Sequence, residues 1–165
     1  MSIDAVERLR QRPRKKKAQS KAYSGKKKTH TRKSVVIADK NRRVLVVTKQ
    51  KSGRRHDKRL ADKEDLFQKL PKRIVAWADT AFIGEEKVHP NIHIPKKKPR
   101  GRELTYDEKE TNKIISSYRV IVEHAIGGIE RYRCMSERLR NRKSYTDDTF
   151  LLLASGLWNY HLATN

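Results

Sequence analysis

Between Asn112 and Arg133 the apolar residues Ile115, Tyr118, Val122, Ala125, Ile129 and Tyr132 recur at steps of three and four. That is the period of a helix with one buried stripe, so the segment predicts a long helix laid against a core. At roughly 100° per residue, Ser116, Arg119, Glu123, Gly127 and Glu130 share a second face beside the stripe. Glu123 stands at the edge of the buried face, four residues after Arg119. By itself this is a surface ion pair worth about 0.3–0.5 kcal/mol. Gly127 and Gly128 cost the helix roughly 1 kcal/mol each relative to alanine. Either the helix kinks there or a neighbouring backbone packs closely.

The remaining elements predict a sheet for that helix to cover. Ser34–Ala38 and Arg43–Thr48 are β-branched runs separated by Asp39-Lys-Asn-Arg, the pattern of a hairpin. Past Ser52-Gly53, His56-Asp57 opens a helical segment to Leu70, with Asp57 as its N-cap and Leu60, Phe67 and Leu70 inward. Arg73-Ile-Val-Ala-Trp-Ala-Asp79 is a short apolar strand ending in a carboxylate, and Ile92–Ile94 is a last short strand. In open α/β sheets functional side chains emerge at strand ends. Thr146-Asp-Asp-Thr offers an N-cap to a closing helix whose stripe is Phe150, Leu153, Leu157 and His161 or Leu162. The order fits an α/β protein with a sheet of mixed direction and helices on its faces. His89 and His93 are four apart, but Pro90 and Pro95 exclude the helix that a zinc pair at this spacing needs.

The 165 residues leave room for one well-buried domain. Lys and Arg number 41 against 19 Asp and Glu, a net charge of +22, which implies a polyanionic partner and most simply nucleic acid. Thirteen of these bases fall between Met1 and Lys33, against the acids Asp4 and Glu7, a composition expected of a solvated arm. Lys26, Lys27 and Lys28 beside Gly25 and Tyr23 suit a loop that tracks phosphates. Lys96, Lys97 and Lys98, with Arg100 and Arg102, form a second basic loop between prolines, and Arg131–Lys143 adds six more bases. A single cysteine, Cys134, excludes an intramolecular disulfide framework and fits a reducing cytoplasm. Phe150–Ala154 is far too short to span a bilayer, so no membrane partner is expected.

Several of these phrases, in order, carry a family likeness. Arg119-Val-Ile-Val-Glu-His-Ala-Ile-Gly-Gly128 resembles the glutamate helix of DDE transposases from bacterial insertion sequences, and more specifically the branch related to Harbinger-type elements. Ile3–Pro13 resembles the family's first catalytic segment, a strand ending in Asp, then two residues, Glu, and a basic tract closing on Arg-Pro. Asp79-Thr-Ala-Phe-Ile-Gly84 resembles its second motif, and Tyr23–Thr31 and Gly53–Asp57 match as well. The likeness runs from Ile3 to about Leu157. The chain departs from the pattern at Val6 for Thr, Ala81 for Gly, Ser116 for Tyr and Glu130 for Lys, with Arg131 next door.

The resemblance implies one RNase H-like catalytic domain over residues 1–165, a mixed sheet flanked by helices, with basic loops at 8–33 and 96–102. It implies that Asp4, Asp79 and Glu123 are catalytic carboxylates holding two Mg²⁺ or Mn²⁺ ions, with Asp4 bridging them. Oxygen-only ligands favour such metals, and two ions about 3.5–4 Å apart serve in-line phosphoryl displacement. The chemistry implied is DNA strand cleavage by water, then strand transfer by a 3′-hydroxyl. Lys26–Lys28, Lys96–Lys98, Arg119 and Arg131 are the expected DNA contacts, Arg119 also orienting Glu123. Family members carry an N-terminal DNA-binding part and a full first strand. Neither stands before Asp4 here, so a truncated first strand and an upstream half of a split transposase are expected, with homo-oligomers when active. The alternatives are an inactive transposase remnant and a non-enzymatic basic nucleic-acid-binding protein.

Overall fold

The structure, a computed structural model, describes residues 1–141, 143 and 145–165, so Arg142 of the third basic stretch lies outside the described residues. In chain order the elements are β1 (Ser2–Leu9), α1 (Lys16–Ala22), β2 (Tyr23–Ser24), β3 (Thr29–Ala38), β4 (Val44–Val47), β5 (Lys51–Ser52), α2 (Asp57–Lys63), α3 (Leu66–Lys69), β6 (Ala76–Ala78), β7 (Ile92–His93), α4 (Tyr106–Glu130), α5 (Arg133–Ser136) and α6 (Thr146–Thr164).

β1 lies in the middle of the sheet. On one side it pairs antiparallel with β3 over its whole length, from Ser2 opposite Ala38 to Leu9 opposite Thr31. On the other it runs parallel to β6, with Ser2 beside Trp77 and Ile3 beside Ala78, and β6 runs parallel to β7. The far edge of β3 carries β4 and β5, both antiparallel, and β2 pairs with the start of β3. The β3–β4 hairpin forms as the sequence predicts. Asp39 closes its turn by accepting from the amides of Asn41 and Arg43 at 2.8 and 3.0 Å, with Arg42 in the left-handed region at φ 66°.

Strand alternation divides the core in two. Ile3, Val35 and Ile37 face Leu60, Phe67 and Leu70 of the α2–α3 layer, where the Phe67 and Phe82 rings meet edge to face. Val6, Val36 and Ala38 face the α4–α6 layer, against Val122, Ala125, Ile129, Leu151 and Trp158. The architecture is therefore a mixed α/β sheet covered by helices on both faces. Among the described residues no helix is long and apolar enough to cross a membrane.

Five expectations change. β1 is eight residues long and paired with β3 throughout, because it continues past Asp4 instead of ending there. Its start is also anchored, since the Met1 amine donates to the Val75 carbonyl at 2.7 Å and the Trp77 amide to the Met1 carbonyl at 2.9 Å. The 8–33 stretch is not a loop; it forms the end of β1, α1, β2 and the start of β3. Asp57 is the first residue of α2 and not its cap, and its carboxylate is drawn to Lys33 Nζ at 3.2 Å. α4 begins at Tyr106, six residues early, because Thr105 and Glu108 form a reciprocal capping box. α6 buries Leu151, Ala154, Ser155 and Trp158, while Leu153 and Leu157 are exposed. Its rotation is set by Trp158, whose indole N–H donates to the Arg42 carbonyl at 2.9 Å, and by Asn159, which exchanges hydrogen bonds with the Val44 backbone.

α4 runs unbroken through Gly127 and Gly128, and the two glycines differ in purpose. A Cβ on Gly128 would stand 2.3 Å from the Trp158 ring, whereas one on Gly127 would meet nothing within 4 Å. Gly128→Ala is therefore expected to destabilise by about 1–3 kcal/mol through overpacking. Gly127→Ala should be neutral or stabilising by up to about 1 kcal/mol. Urea melts of the two variants check this, and equal effects would show that the indole has room to move.

Candidate active site

Asp4, Asp79 and Glu123 reach one place from three elements. Asp4 shares the α4-facing side of β1 with Val6. Asp79 directly follows β6, and because Ile3 lies beside Ala78 in the parallel register, Asp4 and Asp79 leave neighbouring strands together. Glu123 descends from α4, which packs over both strands. Ser2 fastens helix to strand, its hydroxyl donating to the Tyr118 carbonyl at 2.7 Å. The Tyr118 ring stacks on Trp77 with centroids 4.2 Å apart, and Trp77 stacks in turn on His93 at 4.5 Å. Residues 77 and 118, two and one before the site residues Asp79 and Arg119, thus lock the register of strand against helix.

The guanidinium of Arg119 stands among the three carboxylates. Its Nη2 lies 3.6 Å from Asp4 Oδ2 and 3.7 Å from Glu123 Oε1, and its Nη1 lies 3.6 Å from Asp79 Oδ1. The sequence shows Arg119 and Glu123 as an i, i+4 surface pair, but the Arg119 side chain is only 15% exposed and serves all three acids. Its Nε is buried without a hydrogen-bond partner among the described residues. Asp4 Oδ1 accepts from the Ala5 amide at 2.7 Å. Asp79 Oδ1 accepts from the Thr80 amide at 2.6 Å and caps the helical turn Thr80–Phe82.

Burial pushes the Asp4 carboxyl above its ordinary range. The Ala5 amide and Arg119 oppose that shift, while Asp79 and Glu123 add to it by repulsion. The ionised form is thus the disfavoured one in the fold. Stability is lost as pH rises from the usual carboxylate range through the higher one of folded Asp4, and it stays lower above. Asp4→Asn is expected to raise the melting temperature of the metal-free protein at pH 7. A fall would show that the Asp4–Arg119 contact outweighs desolvation.

The donor set is chemically suited to Mg²⁺ or Mn²⁺, being three carboxylates from strand ends and a helix. Among the described residues, however, no group of three His, Cys, Asp or Glu is gathered closely enough to hold an ion. The guanidinium occupies the position between the acids, and its charge already answers their repulsion.

The basic residues are less alike than their sequence runs suggest. Lys26, Lys27 and Lys28 sit exposed at the tip between β2 and β3. Lys96 and Lys98 instead pair with acids at the entry to α4, Lys96 with Glu108 at 2.5 Å and Lys98 with Glu103. Lys96 and the Thr105 amide hold the Glu108 carboxyl down at about 2. Arg131 caps the end of α4 and lies over the Trp158 ring. His89 is buried against the Pro71 carbonyl and His93 is stacked on Trp77, so the two histidines serve different contacts.

One cluster escaped the sequence reading. Asp147 in the first turn of α6 is buried among Arg8, Arg10 and Arg32, at 3.9, 3.8 and 3.3 Å. The available signal was alternation, which places Arg8 on the same face of β1 as Asp4 and Val6 and opposite Arg32 of β3.

Residues 3–159 match the family model of the DDE superfamily endonucleases. Over 162 residues the chain is 33% identical to a probable transposase for insertion sequence element IS702 from Microchaete diplosiphon. The aligned part is 98% of this chain but 56% of that relative, so the chain spans little more than half the relative's length. No solved structure matches. Agreement over almost the whole chain, in both comparisons, gives the family plainly: the chain belongs to the DDE superfamily endonucleases.

Proposed function

We propose that this chain is the catalytic part of an insertion-sequence transposase, cutting and joining DNA strands by metal-dependent phosphoryl transfer on an RNase H-like sheet. The observation that carries the reading is the meeting of Asp4, Asp79 and Glu123, from β1, the end of β6 and α4, around one cationic group. The sheet supports it: β1 is central, antiparallel to β3 and parallel to β6, and the first two acids lie on adjacent strands.

In this reading Asp4, Asp79 and Glu123 would hold Mg²⁺ or Mn²⁺, which would supply activation of the attacking oxygen and stabilisation of the leaving one. The side chains divide the remaining work. Asp4, the most buried of the three acids, fixes the floor of the site from the central strand. Asp79 is oriented by the Thr80 amide and hydroxyl. Glu123, with its side chain 53% exposed, stands at the mouth where a DNA strand enters. Arg119 keeps the acids together before a substrate arrives, and its planar fork suits a phosphodiester oxygen once it lets them go. The exposed tip Lys26–Lys28 adds phosphate contacts that carry no sequence information. DNA ends and target DNA are the substrates, and a second copy and an upstream half of a split transposase belong to the same proposal.

The central guanidinium also favours a second reading, a remnant that keeps the fold without the activity. Nicking of supercoiled plasmid with Mg²⁺ or Mn²⁺ separates the two, with Glu123→Gln as the blank. Metal-dependent nicking that the substitution abolishes supports the enzyme. Equal background from both proteins supports the remnant.

A further inference from the structure

Arg8 lies four residues beyond Asp4 on the same face of β1, at the wall of a cavity of about 950 Å³. Arg133, Arg138 and Arg140 line the same cavity, with Glu137 its one acid. Arg133 is occupied by Glu137 at 2.7 Å, which leaves Arg8, Arg138 and Arg140 to set the sign. Arg8 is only 3% exposed, yet its Nε and Nη1 have no hydrogen-bond partner among the described residues. Its countercharge among the described residues, Asp147, is 3.9 Å away and is shared with Arg10 and Arg32. A buried guanidinium with unmade hydrogen bonds is costly unless another group completes them. The neighbouring wall is tied to β1 by hydrogen bonds. The Leu139 amide donates to the Leu9 carbonyl at 3.0 Å, the Gln11 amide donates to the Leu139 carbonyl at 2.9 Å, and Arg138 Nη1 donates to the Arg10 carbonyl. Leu139 is thereby stitched along the end of β1, and Arg138 and Arg140 on either side of it line the positively charged hollow.

We propose that this cavity is a second phosphate-binding site, which takes a backbone phosphodiester of the DNA strand whose neighbouring segment enters the carboxylate site. This rests on the reading of the chain as a DNA-cutting enzyme. Four residues of strand span about 13 Å, no more than about four nucleotides at a rise of 3.4 Å per nucleotide. One strand can therefore occupy both places. Arginine is the residue for the task, since its fork meets two phosphate oxygens at once and its charge survives burial. Beyond the cavity the same end of the sheet carries the Lys26–Lys28 tip, because β3 pairs back along β1 from Thr31 opposite Leu9. Carboxylates, arginine cavity and lysine tip thus follow one another along the central strand. The site would hold the strand in register while the acids act, a positioning role that reads no base.

Cys134 lines the cavity and is the chain's single cysteine, so it reports on occupancy. The experiment measures its alkylation by iodoacetamide in the full chain, alone, with saturating duplex DNA and with inorganic phosphate, saturation being set by fluorescence anisotropy. Duplex DNA is expected to slow alkylation about tenfold by covering the thiol. Because Arg8 is buried and its loss endangers the fold, the variant is Arg138→Gln with Arg140→Gln, checked by its melting temperature. It should lose the protection, and the slope of log affinity against log salt should fall by about 2. Unchanged alkylation with DNA bound, or an unchanged salt slope, overturns the site and leaves the functional reading standing. Protection by inorganic phosphate without protection by DNA overturns the assignment to DNA. Absence of DNA binding in the anisotropy itself overturns the functional reading and this site with it.

Discussion

Arg119→Ala is expected to lower the stability of the metal-free protein by about 2–3 kcal/mol and to enlarge its stabilisation by Mn²⁺. Removing one member of a buried charge cluster costs about 3–5 kcal/mol. The lower figure applies here because Asp79 and Glu123 are more than a third exposed and partly screened. For a domain of this size the loss corresponds to a melting temperature about 5–10 °C lower. Without the guanidinium the three acids repel one another, and a divalent cation that relieves them binds the folded state more tightly and stabilises it by mass action. Thermal melts of both proteins, with and without Mn²⁺, check this. A variant that melts like the parent, or that gains no more from Mn²⁺, would make the guanidinium a bystander.

Asp147→Ala should have the larger effect, with the opposite sign of rescue. The Asp147 side chain is 3% exposed, and its removal leaves Arg8, Arg10 and Arg32 crowded, with only the charge of Asp148 still acting on Arg32. A loss of about 3–5 kcal/mol is expected, a large part of a typical domain's stability. The excess left behind is positive, so divalent cations should not restore the variant, whereas phosphate should do so in part by binding the folded state. Melts in phosphate and in chloride at equal ionic strength test the sign. Rescue by Mn²⁺ and not by phosphate would contradict the account.

What could be read in advance, and what could not, follows from how far each feature depends on neighbours. The β3–β4 hairpin was legible because Asp39 and the β-branched runs act locally. Asp79 was legible because a short apolar strand ends on it. The buried stripe of α4 was legible through Ile115, Val122, Ala125 and Ile129, but the helix start was not. Residues 106–114 bury none of their side chains, and only the Thr105–Glu108 box marks the beginning. The continuation of β1 was hidden by its charges. Glu7, Arg8 and Arg10 read as a solvated arm until Thr31, Lys33 and Asp147, from distant elements, supply their partners. In α6 apolar residues fill Phe150–Ala154 without a gap, so periodicity alone could not choose the buried side; Gly128 and Trp158 choose it. At the candidate site, the i, i+4 spacing of Arg119 and Glu123 was visible. The reach of Arg119 to Asp4 and Asp79 was not, since it depends on a parallel register of two residue pairs.

That short parallel seam bears on the order in which the protein folds. β1 meets β3 along eight residues after a short excursion of chain, whereas it meets β6 at two positions only, after more than seventy intervening residues. Closing the longer loop costs more entropy and returns fewer hydrogen bonds, so the antiparallel half of the sheet is expected to assemble first and the seam to zip afterwards. Asp4 and Asp79 lie on opposite sides of that seam, and the helix bearing Glu123 comes later still in the chain. A nascent or partly refolded molecule is therefore expected to own a formed hairpin and an open, uncompleted centre, with Asp4, Asp79 and Glu123 brought around Arg119 only at the last step of its folding.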